Sequence, residues 1–272
     1  MKSVQSALKS ELERKTIDCP KHGPYPAARV PGGQWPNCPE CDHQALLEQS
    51  ARLEPERRQR QILSLLKESG VPMRFQVSTF GNFRAINSGQ QQALKAATEY
   101  AADFSEGVKT GRCLAFVGKP GTGKTHLAAA IIREVLAAGH SAAFTTVGDY
   151  VREIKDYCWG NRKDQLRESE VIAKYCRPHL LVLDEVGVQF GSNAEEILIF
   201  TLINKRYEDL RPTLVISNEE EEGLEKYLGE RVFDRLKDGG GQIIPFEWDS
   251  VRGQDLTKLT GNIKHVDQHC SA

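Results

Sequence analysis

The chain has 272 residues, of which 39% are hydrophobic, which is enough for one full core and one smaller appended module. Acidic and basic residues nearly cancel, 37 against 36, so no strong overall field draws the molecule onto nucleic acid, and any DNA contact must be a local patch. No apolar stretch reaches the length of a signal peptide or a membrane span, and we therefore expect a cytoplasmic protein.

The N-terminal segment carries metal-binding residue types in two short pairs. Cys19-x-x-His22 is followed by Cys38-x-x-Cys41, across a loop rich in proline and glycine. In a reducing compartment, this clustering of cysteines favours metal binding over disulfides. Four nitrogen and sulfur ligands in two pairs suit tetrahedral Zn²⁺, which would supply folding energy to a module that lacks a core. We predict a compact, loop-rich zinc module over 1–45, with His43 as a competing fourth ligand.

The next segments are predicted to be a helical linker and an α/β core. Residues 46–70 are charged and helix-favouring, with apolar residues at helical spacing near the end. Over 71–255, apolar strand-like runs alternate with helical ones, which predicts a parallel sheet covered by helices, and 256–272 reads as a polar tail, disordered from about Thr257. The expected strands are Arg112–Val117, Ala142–Thr146, Leu180–Asp184, Thr213–Ser217 and Gln242–Phe246, and the clearest helices are Gly123–Ala138 and Ala194–Asp209.

The segment from Gly118 to Thr125 fits the phosphate-loop pattern G-x-x-x-x-G-K-[ST]. It follows an apolar strand and opens a helix, so backbone N–H groups and the helix dipole converge on phosphate oxygens. Lys124 would reach the β- and γ-phosphates, and Thr125 would bind Mg²⁺. We assign nucleotide binding to Gly118, Pro120, Gly121, Thr122, Gly123, Lys124, Thr125 and His126.

Polar side chains follow two later strands of the predicted sheet. The apolar run from Leu180 ends in Asp184 and Glu185, where the first carboxylate would hold Mg²⁺ and the second would polarise the attacking water. This pair favours hydrolysis over phosphate transfer to a small acceptor. Asn218 follows the next strand and would reach the γ-phosphate or its water, although asparagine after a strand is equally often a turn residue.

These motifs together resemble the DnaC/IstB-like AAA+ ATPases, in particular the DnaC-type replicative helicase loaders, over about Phe75 to Gly253. The motifs that carry the resemblance are the phosphate loop with His-Leu-Ala-Ala-Ala-Ile, Leu-Val-Leu-Asp-Glu-Val-Gly-Val-Gln, Ile-Ser-Asn, Gly229-Glu-Arg-Val-Phe-Asp-Arg235 and Trp248-Asp-Ser-Val-Arg252. The resemblance implies a P-loop AAA+ three-layer fold without a helical lid, and self-association through the ATPase core.

The resemblance also assigns two arginines. Arg235 would be an arginine finger that acts on a neighbouring subunit's ATP, with Arg231 as the alternative, and Arg252 would be the second arginine sensor. A planar guanidinium supplied across an interface stabilises charge on the γ-phosphate in the transition state. The alternative for Arg235 and Arg252 is a surface ion pair.

Basic and aromatic residues interleave between the second and third core strands, from Tyr150 to Lys163. The loaders resemble initiator-type ATPases in carrying here a helical element that faces single-stranded DNA. Such residues would track phosphates and stack a base, and the alternative is an amphipathic helix with its aromatics in the core. The candidates are Arg152, Lys155, Tyr157, Trp159, Arg162 and Lys163.

Three functions are compatible with these features. The leading hypothesis is an ATP-dependent loader that grips a DnaB-type replicative helicase with its N-terminal module. The N-terminal module departs from the helical helicase-binding domain of DnaC-type loaders, which leaves the partner open. An IstB-like helper of a transposase and a non-catalytic ATP-binding adaptor are the alternatives.

Overall fold

The computed structural model describes residues 12–158, 167–187 and 193–251, so the predicted polar tail lies outside the described residues. The chain divides into two compact units, residues up to 61 and residues from 62 onward. The last part of the predicted linker, from Ile62, therefore belongs to the larger unit. The division into four segments at residues 45, 70 and 255 stays a prediction. Within the described ranges, none of the helices has the length and apolar character needed to span a bilayer.

The smaller unit begins with a β-hairpin that the sequence reasoning did not predict. Strands β1 (Glu13–Cys19) and β2 (Gly23–Arg29) are antiparallel. Pro24 and Pro26 argued for loop structure, but proline is tolerated in an edge strand where its nitrogen faces away from the partner. Both strands of a two-stranded sheet have a free edge, and the two prolines, two residues apart, face the same side of β2.

Helix α1 (Pro39–Glu68) begins earlier than the predicted start at residue 46. Proline is favoured at the first helical position because the N–H that it lacks has no partner there. The Asp42 N–H donates to the carbonyl of Cys38 at 3.0 Å, which forms the first turn. The loop-rich prediction was therefore wrong for the hairpin and for the residues from Pro39 onward, and the residues between the hairpin and Pro39 are loop.

The larger unit is a five-stranded parallel sheet in the order β4-β5-β6-β3-β7. Its strands are β3 (Leu114–Gly118), β4 (Ala142–Thr146), β5 (Leu180–Val186), β6 (Thr213–Ser217) and β7 (Gln242–Phe246). Its further helices are α2 (Ser88–Ala102), α3 (Phe104–Thr110), α4 (Lys124–Ala137), α5 (Val147–Cys158), α6 (Glu168–Cys176), α7 (Asn193–Glu208), α8 (Glu221–Leu228) and α9 (Glu230–Lys237). The predicted parallel α/β fold is confirmed.

Alternate residues of the central strands feed two separate hydrophobic cores, one on each face of the sheet. On β5, Leu181 and Leu183 pack with the α5 to α9 side, whereas Leu180 and Val182 pack with α2 and α4. A parallel sheet buried on both faces needs apolar residues at every position, because successive side chains point to opposite faces. The continuous apolar runs of the sequence have this cause, and the result is a three-layer architecture.

A buried arginine lies at the N-terminal ends of β5 and β6, which is the end of the sheet opposite the phosphate loop. Arg206 of α7 is fully buried, and its guanidinium donates to the Thr213 hydroxyl and to the carbonyls of Tyr175, Pro178, His179 and Pro212, at 2.6 to 3.1 Å. These groups lie where the chain enters β5 and β6. Burial lowers the pKa of Arg206 to about 10, so it stays charged at neutral pH.

We expect Arg206→Met to lower the free energy of unfolding by about 3 kcal/mol or more, because several buried carbonyls lose their donors. The measurement is urea unfolding followed by circular dichroism. Lys205→Met is the matched control, because Lys205 is exposed and makes only a surface ion pair with Asp209 at 3.4 Å. Equal stability of the two variants would contradict the role given to Arg206.

Candidate functional site

The phosphate loop connects β3 to α4, and glycines give it its shape. Gly118 and Gly123 have φ angles of 111° and 104°, in the region that favours glycine. A Cβ on Gly118 would lie 2.7 Å from the carbonyl oxygen of Phe246, and one on Gly123 would lie 2.7 Å from the Phe83 ring. The backbone can therefore curl at the start of α4, where N–H groups lack helical acceptors.

Lys124, the first residue of α4, is 5% exposed. Its ammonium donates to the carbonyl oxygens of Gly118, at 2.5 Å, and Lys119, at 2.7 Å. A buried cation needs such acceptors to compensate for lost hydration. A nucleotide phosphate that enters the loop would therefore have to replace these two carbonyls as the acceptor for the ammonium.

The predicted carboxylate pair lies at the end of β5, at a bulge. Pairing between β5 and β6 shifts register between Leu183 and Val186, and Glu185 has a φ of 62°, uncommon for a residue other than glycine. Regular alternation would send Asp184 and Glu185 to opposite faces of the sheet, whereas a bulge can re-aim a side chain. Both residues consequently line the same cleft.

Asp184 is joined directly to the phosphate-loop helix. The Thr125 hydroxyl donates to Asp184 Oδ2 at 3.0 Å, and the Glu185 N–H donates to Oδ1 at 2.7 Å. Burial raises the pKa of Asp184, while these two hydrogen bonds act in the opposite direction. A hydroxyl and a carboxylate side by side are the oxygen ligands that Mg²⁺ takes in nucleotide sites.

A cleft of about 540 Å³ brings most of the predicted site together. Pockets of this size hold small ligands. Thr122 and Gly118 do not line it, because Thr122 is buried against the loop and Gly118 lies against Phe246. The predicted residues that line the cleft are Pro120, Gly121, Gly123, Lys124, Thr125, His126, Asp184, Glu185 and Asn218.

One wall of the cleft was not predicted from the sequence, and we call it the covering segment (residues 74–82). Arg74, Phe75, Val77, Ser78 and Asn82 from this segment line the cleft, as does Ile216 of β6. The segment has neither helical nor strand periodicity, so no pattern linked it to the phosphate loop.

Two side chains of α4 hold the covering segment in place. Arg133 donates to the carbonyls of Gln76 and Ser78, and His126 Nε2 donates to the Thr79 carbonyl at 3.0 Å. His126 therefore lines the cleft with its ring nitrogen already engaged. Arg133, which with Glu134 interrupts the apolar run of α4, was the available signal for this contact.

Arg235 is not one of the described residues that line this cleft. It lies on α9, partly buried, with its guanidinium carbon 5.1 Å from the centroid of the Tyr207 ring. Within the described part of the chain, its Nη1 is enclosed and has no hydrogen-bond partner. Arg231, the alternative, is exposed, and Arg252 lies outside the described residues, although Val251 lines the cleft.

The predicted DNA contacts fall on α5 and beyond it. Arg152 pairs with Asp149 at 3.0 Å, and Lys155 pairs with the buried Glu195 at 2.7 Å. Tyr157 is at the surface, whereas Tyr150 is fully buried against α7. The helix is thus amphipathic, with one aromatic in the core, and both described cations already have carboxylate partners. Trp159, Arg162 and Lys163 lie outside the described residues.

The four predicted zinc ligands of the smaller unit converge. Cys19 ends β1, His22 lies in the hairpin turn, Cys38 precedes α1 and Cys41 lies in its first turn. Their ligand atoms all lie within 4.8 Å of one another, and His43 is not part of the cluster. His22 Nδ1 is 3.7, 3.6 and 3.4 Å from the sulfurs of Cys19, Cys38 and Cys41, and the sulfurs of Cys19 and Cys41 are 3.6 Å apart.

These distances fit the edges of a tetrahedron around a metal ion. Zn–S bonds of about 2.3 Å and Zn–N bonds of about 2.0 Å require ligand atoms about 3.5 to 3.8 Å apart. A hydrogen bond from the Lys21 backbone lowers the pKa of Cys19 to about 6, and the hydrogen bond with Cys19 raises the pKa of Cys41 to about 11. The cluster thus favours a thiolate, the form that binds metal.

A parallel sheet of this order, a phosphate loop opening α4 and a carboxylate pair ending β5 together define a P-loop ATPase of the AAA+ class. The family described as IstB-like ATP binding protein matches residues 42–255. The chain belongs to this IstB/DnaC family of AAA+ ATPases.

Individual relatives show how far the similarity extends. The replicative helicase loader DnaC of Escherichia coli (strain K12) is 37% identical over 205 residues, which are 75% of this chain and 81% of the relative. The uncharacterized protein YdaV of the same organism is 30% identical over 241 residues, 89% of this chain and 92% of the relative.

Solved structures share the fold. The match to the crystal structure of the DnaC helicase loader has a TM-score of 0.57 at 24% sequence identity. It covers 65% of this chain and 100% of the matched chain. The match to the crystal structure of DnaI has a TM-score of 0.53 at 19% sequence identity. It covers 66% of this chain and 94% of the matched chain. These likenesses confirm the predicted AAA+ fold.

We expect Glu185→Gln to slow ATP hydrolysis by about 10²-fold or more with little loss of ATP affinity, because an amide cannot polarise the attacking water. Turnover is measured by phosphate release and affinity by titration with a fluorescent ATP analogue. Glu220→Gln, an exposed residue before α8, is the matched control and should behave as wild type. Turnover unchanged by Glu185→Gln would favour the adaptor hypothesis.

Proposed function

We propose that the protein is an ATP-dependent loader of a DnaB-type replicative DNA helicase onto single-stranded DNA, with ATP, Mg²⁺ and Zn²⁺ as its cofactors. The observation that carries the proposal is the 37% identity to a replicative helicase loader over 81% of that relative. The cleft supports it, because its predicted Mg²⁺ ligands and water-activating carboxylate lie together. A cytoplasmic location stays a prediction.

The zinc module is proposed as the part that grips the helicase. The family match starts at residue 42, so all four ligands precede it, and the module is an addition to the shared ATPase. A hairpin and a helix start joined by one metal give a small unit a rigid shape without a large core. Rigid surfaces lose less conformational entropy on binding than flexible segments do.

Arg235 is proposed as the group that makes hydrolysis depend on a neighbouring subunit. It has an enclosed guanidinium nitrogen without a partner among the described residues, and it does not line the cleft of its own chain. Such a cation would gain most from the charge that builds on the γ-phosphate of another copy. ATP turnover would then report assembly.

Single-stranded DNA is proposed to contact α5 through Arg152, Lys155 and Tyr157. Because both cations are already paired, phosphates would have to displace Asp149 and Glu195. The cost of this displacement predicts weak binding with a strong salt dependence. Trp159, Arg162 and Lys163 follow in sequence and remain candidates.

The family description favours one alternative, an IstB-like ATPase that assists a transposase. That function would use the same cleft and would differ in the partner and in its preference for duplex DNA. The identity of the bound partner therefore separates the two proposals.

We expect Arg235→Ala to lower ATP turnover about 10³-fold, and a mixture of Arg235→Ala with Glu185→Gln to recover activity. The first variant keeps a complete cleft, and the second supplies an intact Arg235 to it, so recovery requires that the arginine act between chains. Steady-state phosphate release of each variant and of the mixture is the measurement.

The matched control is Arg231→Ala in the same mixture. Loss and recovery with Arg231→Ala instead would move the assignment to Arg231. Wild-type turnover by Arg235→Ala, or a mixture no more active than its parts, would contradict the proposal.

The loader proposal is tested with the full chain and a Cys38→Ser/Cys41→Ser variant. We expect the wild type to carry about one Zn²⁺ and to retain the host replicative helicase in a pull-down. The variant should lose the metal and the helicase but keep ATP binding, because its ATPase unit is unchanged. Metal analysis, pull-down and nucleotide titration are run on the same preparations.

Cys158→Ser is the matched control, because this thiol lies on α5 outside the cluster. Absence of the helicase from the wild-type pull-down would contradict the loader proposal, and recovery of a transposase would favour the alternative. Full metal retention by the double variant would refute the zinc assignment.

A further inference from the structure

The last residue of β7 and the residues that follow it form a second set of contacts to the phosphate loop. We call residues 246–251 the post-sheet segment. The indole Nε1–H of Trp248 donates to the carbonyl oxygen of Thr122 at 3.0 Å, and the Val251 N–H donates to that of Gly121 at 3.0 Å. The carbonyl of Phe246 accepts from the Lys119 N–H at 3.1 Å. Three groups of this segment therefore bond to the loop.

These bonds determine which way the loop amides point. In a trans peptide, the carbonyl and the following N–H lie in one plane and point in opposite directions. Holding the carbonyls of Gly121 and Thr122 toward the post-sheet segment therefore turns the N–H groups of Thr122 and Gly123 away from it. Gly121, Gly123 and Lys124 line the cleft, as does Val251 of the post-sheet segment, so the oriented amides belong to the part of the loop that borders the cleft.

Trp248 is itself held on two sides. Its ring lies 4.7 Å from the Phe246 ring, centroid to centroid, and Phe246 lies 5.0 Å from Phe116 of β3. On the other side, a Cβ on Gly89 of α2 would lie 3.2 and 3.3 Å from two indole carbons, so a larger residue there would push the indole by a few tenths of an ångström. The indole is thus fixed between the sheet and α2, and its hydrogen bond fixes the Thr122 carbonyl relative to both.

We propose that Trp248 is a positioning residue of the nucleotide site, which together with the Val251 N–H preorganises the amides of the phosphate loop for the β-phosphate. The inference concerns nucleotide binding and is independent of which partner the protein loads. Loop amides that are oriented in advance bind anions more tightly, because no conformational entropy is lost in ordering them when the anion binds. ATP and ADP share the β-phosphate, so the effect applies to both.

The test compares Trp248→Phe and Gly89→Ala with wild type in titrations with ATP and with ADP, alongside thermal unfolding. Trp248→Phe keeps an aromatic ring but removes the donor, so we expect affinity for both nucleotides to fall about threefold to tenfold, as for one lost hydrogen bond. Turnover at saturating ATP should stay within about twofold.

Gly89→Ala separates positioning from stability. Alanine is the better helix former, so α2 gains propensity, while its Cβ displaces the indole by a few tenths of an ångström. We expect nucleotide affinity to fall with no decrease in Tm. Ser88→Ala, at the exposed neighbouring position, is the matched control and should bind as wild type. Wild-type affinities in Trp248→Phe, or a loss in Gly89→Ala only in proportion to unfolding, would overturn the inference.

Discussion

The five hydrogen bonds of Arg206 are the constraint on which the geometry of the ATPase unit depends. A buried guanidinium that has no carboxylate partner in the described part of the chain is tolerated because each of its donors reaches an oxygen near the point where the chain enters β5 or β6. This holds two adjacent strands in register at one edge. At the opposite end of the same two strands, which carries Asp184 and Ser217, the pairing shifts register and forms the bulge.

How much was predictable depends on whether a residue's role is local. The strands Ala142–Thr146, Thr213–Ser217 and Gln242–Phe246 were predicted at their observed bounds, because a buried parallel strand is a short apolar run between turns. Arg206 and Trp248 had no such signal, since a buried arginine in a helix reads as a surface residue and an isolated tryptophan reads as core. Their partners lie on elements that only the folded sheet brings together.

The site shows the same division between local and distant information. The phosphate loop and the carboxylate pair are patterns within a few residues, and most of the residues assigned to them line one cleft. That Asp184 and Glu185 face one cleft depends on the bulge against β6, which sequence alternation alone would deny. Likewise, Cys19-x-x-His22 and Cys38-x-x-Cys41 predicted a metal cluster, but selecting His22 over His43 required the turn of the hairpin.

Lys124 gives the site a property that follows from its contacts with Gly118 and Lys119. Because the ammonium is already solvated by the loop, the nucleotide gains only the difference between two sets of hydrogen bonds. The carbonyls of Gly118 and Lys119 thus act as an internal competitor, because they bind the same ammonium that the nucleotide phosphates need. An internal competitor of this kind lowers the net affinity that the ammonium can contribute toward an anion that enters the loop.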